Sequence, residues 1–142
     1  MKLLINAEFL HRRSEDCLPD ELESISKDLV EQIKNTADVW AIAAPQIGEF
    51  VRGFVMKVGN GNNILIFNPI VTYTKGSQVT AEKCLSLPNV VCKVIRPKEI
   101  KVKGINQYGN FVKYHFKGLQ ARIVCHEIDH LNGVLISDVE IK

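Results

Sequence analysis

The pentapeptide HEIDH at residues 126–130 constrains this chain more than any other stretch. Two histidines four apart sit one turn above another on a helix, where both imidazoles can reach one cation. The flanking residues predict such a helix over 119–131. Ala121, Val124, Cys125, Ile128 and Leu131 fall in one broad apolar stripe on a 3.6-residue period, Gly118 precedes them, and Asn132-Gly133 stops them. Glu127 points to the side, placed to take a proton from a water activated by the cation. A chance HExxH arises in roughly one comparable sequence in a hundred. A pair of solvated helix histidines is therefore the weaker reading.

The rest of the chain predicts an α+β fold. Leu22, Ile25, Leu29 and Ile33 recur at helical spacing after Pro19 and give an amphipathic helix at about 20–35. Strand signals follow: VRGFVMKV from Val51, a GNGN turn, ILIFN, then IVTYT after Pro69. Ile100 and Val102 alternate with Lys101 and Lys103. After the turn NQYGN, Val112, Tyr114 and Phe116 alternate with Lys113, His115 and Lys117. These read as antiparallel strands with one wet face, grouped between two helices.

Composition narrows the function classes. With 46% hydrophobic and 24% charged residues, the 142-residue chain reads as one soluble globular domain over 1–142. A formal charge of +2 argues against nucleic acid or an anionic membrane as partner. No apolar run approaches the ~20 residues of a membrane helix. Asn6 and Glu8 break any signal-peptide core, which leaves the cytoplasm or an organelle interior as the expected location. Without a secretory signal, Cys17, Cys84, Cys92 and Cys125 are expected as free thiols, by default small buried hydrophobes.

Two imidazoles do not complete a catalytic site, which takes three protein ligands plus a water. Glu140 lies close behind His130, His11 sits beside Arg12 and Arg13, and His115 alternates with lysines on a wet strand. Cys84, in the short segment TAEKCLSLP, would offer a soft and strongly donating thiolate. The residues alone leave these alternatives open.

Three motifs together carry a resemblance. QARIVCHEIDHLNGVLISD resembles the metal-binding helix of peptide deformylases, AEKCLS resembles their EGCLS loop, and AIAAPQ resembles their GLAAPQ loop. They stand in family order, and the likeness spans about residues 20–138, with the first twenty or so residues unlike the family. The resemblance implies antiparallel sheets packed around a central HExxH helix, with an N-terminal helix. It also implies a hydrolase that removes the N-formyl group from N-formylmethionyl nascent peptides, and places it near the ribosome. Cys84, His126 and His130 would hold one divalent metal, Fe²⁺ natively, with Zn²⁺, Ni²⁺ or Co²⁺ as substitutes. Glu127 would act as general base, while the Gln46 side-chain amide and the Leu85 backbone N–H would stabilise the oxyanion. Glu82 and Arg96 stand where the family can form an ion pair behind the cysteine loop, expected to contribute little if exposed.

Three departures bear on substrate. Lys83 replaces the glycine before the cysteine ligand, and Trp40 falls where the family's loop pairs with substrate backbone. The chain also stops twelve residues after His130, short of the C-terminal helix of many bacterial members. They keep two alternatives in view: a related metallohydrolase with an altered N-acyl substrate or weak activity, and a metal-retaining module that binds peptides without turnover.

Overall fold

The computed structural model describes residues 10–84 and 86–142. A 3-10 turn at Pro19–Glu21, where Pro19 starts and the Glu21 carboxylate accepts from the Leu18 N–H, leads into helix α1, Leu22–Lys34. The second helix, α2, runs Leu119–Leu131. Both match the sequence periodicity. Their buried faces carry Leu22, Ile25, Leu29 and Ile33 on α1, and Ala121, Val124, Ile128 and Leu131 on α2. Cys125, placed on the same stripe by the periodicity, is only partly buried.

Between the helices lie seven strands: β1 Ala41–Ala43, β2 Gly53–Gly59, β3 Asn62–Lys75, β4 Gln78–Cys84, β5 Leu87–Arg96, β6 Glu99–Ile105 and β7 Phe111–Lys117. Five form one antiparallel sheet in the order β1-β2-β3-β6-β7, and β4 and β5 form a separate antiparallel pair. Strand β2 is buried on both faces. Val55 packs with α1, whereas Phe54 and Met56 turn to the α2 side. Further along the sheet only one face is covered: Ile100, Val102 and Phe116 pack on α2, and the alternate residues of β6 and β7 face outward.

Two sequence expectations change here. ILIFN and IVTYT form one strand, not two, because the Asn68-Pro69 step sits at a register shift between Phe67 and Ile70. Proline gives up no ladder hydrogen bond at such a bulge. Asn68 takes the left-handed conformation (φ 51°) and its side chain accepts from the Cys17 N–H and donates to the Cys17 carbonyl. Secondly, TAEKCLSLP is not a loop between strands: Cys84 ends β4, inside a hairpin that the hydrophobic pattern did not announce. The inward face of β4 is Thr80, Glu82 and Cys84, while Val79 is exposed on the outward face. Polar residues inside and apolar ones outside invert the usual strand signature.

The chain after α2 is fixed by tight backbone packing. Gly133 sits at φ +74° with its α-carbon against the backbone of His11 and Arg12, so an added Cβ would run into the His11 carbonyl oxygen. Gly133→Ala therefore combines left-handed strain with a backbone clash. It is expected to lower unfolding free energy by about 2 kcal/mol or more in urea titration, and a loss under about 0.5 kcal/mol would refute the close approach.

Candidate metal centre

Helix α2 delivers both imidazoles to one place, and β4 brings a thiol to meet them. The Cys84 sulfur and one nitrogen each from His126 and His130 lie within 4.8 Å of one another. The His126 and His130 rings meet edge to face with centroids 4.9 Å apart, and His130 Nε2 is 3.4 Å from Cys84 Sγ. His11 pairs instead with Asp138 and His115 with Glu99, both at the surface. Glu140 contributes a backbone bridge to Val94. Of the third ligands left open by the residues, the fold thus brings Cys84 to the histidines.

The donor set suits a cation. Two imidazoles and a thiolate are the chemistry of tetrahedral zinc or of an iron site with an open position. Burial, with the charges of His126 and Arg96, pulls His130 well below its usual value and keeps its ring neutral. The Nδ1 of His126 lies 2.9 Å from Glu82 Oε1. An ionised carboxylate can only accept, so Nδ1 carries a proton held toward Glu82. Burial alone would lower this ring, but contacts with Cys84 and Glu82 outweigh it and push the ring up to about 10, so Nε2 would give up its own proton on taking a cation. Glu127 is fully buried beside the ligands, and its Oε1 has no hydrogen-bond partner among the described residues. Burial pushes its carboxyl up to about 7, close to the range that suits a general base at neutral pH.

Gln46 enters from the 3-10 turn Ala44–Ile47 that follows β1. Its Oε1 accepts from the Ala43 N–H at 2.9 Å, which fixes the amide and aims Nε2 at Cys84 Sγ (3.6 Å) and Ser86 Oγ (3.2 Å). Leu85 lies outside the described residues. The remaining thiols keep the structural role: all four cysteines are free, and burial pushes Cys17 and Cys125 up to about 11.

The Glu82–Arg96 pair expected behind the cysteine loop is present and buried, so the condition under which it would contribute little does not apply. Glu82 is 2% and Arg96 5% exposed. Arg96 Nε and Nη2 donate to the two Glu82 oxygens at 3.0 and 2.8 Å, and Nη1 donates to Asp129 at 2.6 Å. Thr80 adds a hydroxyl at 2.8 Å. Burial alone would raise the Glu82 carboxyl, but hydrogen bonds from His126, Arg96 and Thr80 outweigh it and hold it down at about 2. Sequence reasoning gave Asp129 and Ser86 no part. Asp129 passed as a spacer within HEIDH, although a carboxylate there had an available signal in the lone arginine of β5.

A cleft of ≈ 950 Å³ opens onto the centre, lined by Gln46, Cys84, His126 and Glu127 with Trp40 and Lys83 at its rim. Trp40 is 60% exposed, and its carbonyl accepts from the Lys57 N–H. Strand β1 is the edge of its sheet, so the side away from β2 is open.

Comparison with known proteins agrees with this geometry. The family model for polypeptide deformylase matches residues 3–141, so the first residues do follow the family, contrary to the sequence expectation. Peptide deformylase 2 of Clostridium acetobutylicum is 36% identical over 134 residues, covering 93% of this chain and 89% of that protein. Peptide deformylase of Alkaliphilus metalliredigens is 40% identical over 127 residues, covering 89% and 85%. The crystal structure of peptide deformylase from Thermotoga maritima superposes with a TM-score of 0.90 at 33% identity, covering all of this chain and 97% of the other.

Removing the buried guanidinium would leave two carboxylates facing each other. Arg96→Met is expected to cost about 3–5 kcal/mol of unfolding free energy by urea titration. A cost below about 1 kcal/mol would mean that the pair is not a buried tie.

Proposed function

The chain belongs to the peptide deformylase family and is a metal-dependent hydrolase, and we propose that it removes the formyl group from N-formylmethionyl peptides, releasing formate. The observation that carries this reading is the convergence of Cys84, His126 and His130 within 4.8 Å beside a cleft lined by Cys84, His126, Glu127 and Gln46. A divalent cation held by those three side chains, Fe²⁺ natively with Zn²⁺, Ni²⁺ or Co²⁺ as substitutes, supplies a Lewis acid and an activated water at neutral pH.

The chain's own groups do the rest. Glu127 takes the proton of the attacking water and returns it to the departing amine, a shuttle helped by a carboxyl raised toward neutrality. Negative charge grows on the formyl oxygen as the tetrahedral centre forms. The Gln46 amide donates to that oxygen, and the Leu85 N–H stands beside it. One such donor is typically worth about 3–4 kcal/mol of barrier. Glu82 holds the Nδ1 proton of His126 and so fixes which nitrogen faces the cation. The peptide lies along the open edge of β1, where backbone pairing orients the formyl group without demanding one sequence. Nascent chains at the ribosome, in the cytoplasm or an organelle interior, are the natural source of such substrates.

Lys83 is the feature that favours a second reading, a shifted N-acyl substrate or a low rate. It lies on the cleft rim beside a ligand and adds bulk and positive charge.

Protein purified without oxygen and loaded with iron is expected to release formate from a formyl-methionyl tripeptide. Glu127→Ala should abolish this with metal content unchanged, and activity surviving that change would remove Glu127 as the base. Lys83→Gly is expected to raise kcat/KM on the same peptide. A parent protein that is inactive until Lys83 is replaced would favour the shifted substrate.

A further inference from the structure

The outward face of β3, β6 and β7 is a field of lysines. Register places Ile70 beside Lys103 and Lys103 beside Lys113, Tyr73 beside Lys101 and Lys101 beside His115, and Lys75 beside Glu99 and Glu99 beside Lys117. Paired residues of an antiparallel sheet share a face, so these three rows form one surface. It holds five lysines and a histidine against one carboxylate, Glu99, which His115 and Lys117 already approach at 3.0 and 3.8 Å. Among the described residues Lys75, Lys101, Lys103 and Lys113 have no ion-pair partner. Lys103 and Lys113 stand directly opposite each other, a like-charge pairing that works against the sheet.

Aromatic rings are set among the cations. Lys101 Nζ lies 5.0 Å from the centroid of Tyr73, which is 41% exposed. At the end of the face Phe111, opposite Ile105, is 91% exposed. A ring left that open buries little surface of its own. The α1 cluster covers the same side of the sheet over β1 to β3, where Val55, Leu65 and Phe67 pack, and reaches β6 only at Ile105, leaving the lysine rows uncovered.

From these rows of lysine with interleaved rings we propose that the outward face of β3, β6 and β7 binds a single-stranded segment of RNA. Lysines spaced along a sheet follow a phosphate backbone, and exposed rings between them stack bases without reading sequence. The formal charge of +2 conceals this, because the rest of the chain is net acidic and the lysines are gathered on one face. The choice of RNA over DNA rests on the proposed function, since a substrate made by translation is met beside RNA. No cleft-lining residue comes from β3, β6 or β7, so the two surfaces can be occupied together.

The test uses the full-length metal-loaded protein and a fluorescein-labelled 20-nucleotide single-stranded RNA of mixed sequence, read by anisotropy. Binding is expected at 50 mM salt and should weaken about 50-fold by 200 mM, the slope for about four phosphate contacts on a single strand. The triple variant Lys101→Glu, Lys103→Glu, Lys113→Glu should lose at least about 30-fold in affinity. Its formate release and thermal midpoint should match the parent's; if that variant does not fold, the corresponding glutamine triple serves. Phe111→Ala should cost at least about fivefold. The proposal is overturned by absence of binding at 50 mM salt or by binding indifferent to the lysine changes. Tighter binding to DNA of equal length, or to phosphatidylglycerol vesicles, overturns it as well, and indifference to Phe111→Ala overturns the stacked single strand. Because formate release is measured separately, failure of RNA binding and failure of the deformylase reading cannot be confused.

Discussion

The rest of the site depends on one buried guanidinium. Arg96 on β5 grips Glu82 on β4 and Asp129 on α2, and Glu82 in turn accepts from His126. The β4–β5 hairpin shares no ladder with the five-stranded sheet, so strand pairing does not set its position relative to α2. The charged cluster does so together with the Val94–Glu140 bridge and the packing of Cys92 and Val94 on Ile136. A buried ion pair often contributes little net stability, because desolvation consumes most of the attraction. What it supplies here is geometry, since one guanidinium ties the hairpin to α2 through Glu82 and Asp129. That arrangement leaves the Cys84 sulfur and two imidazole nitrogens facing one another.

This explains which parts of the molecule were legible in its sequence. Helix α2 could be read to the residue because its apolar stripe, its stop signal and its ligand spacing all follow the same period. The strands β6 and β7 were equally plain, with a greasy face against α2 and a wet one outside. Hairpin β4–β5 was not, since its inward face is built of Thr80, Glu82 and Cys84, chosen for the site and not for a core. Pattern reasoning expects burial to be apolar, and it fails where chemistry is what gets buried. For the same reason Cys84 could be ranked among rivals by residue type but selected only through resemblance. A ligand 46 residues from His130 is joined to it by tertiary packing alone.

The sheet divides the molecule's labours between its faces. On one, Phe116, Ile100 and Val102 form the bed on which α2 rests, and so fix the height of both histidines above the hairpin. On the other, beyond the reach of α1, β6 and β7 carry lysines and a histidine, with Phe111 open at the end. A whole-chain charge or a mean hydropathy averages over this division. Register recovers it, because alternate residues of one strand belong to different environments.

The position of α2 in the chain has its own consequence for a molecule that must be made from one end. All seven strands precede this helix, and both imidazoles arrive on it. During synthesis, then, the sheets can pair and the hairpin can close while the growing chain still owns a single member of its ligand set. The thiol has no companions until α2 emerges and docks. A cation is captured only after there is a fold to hold it.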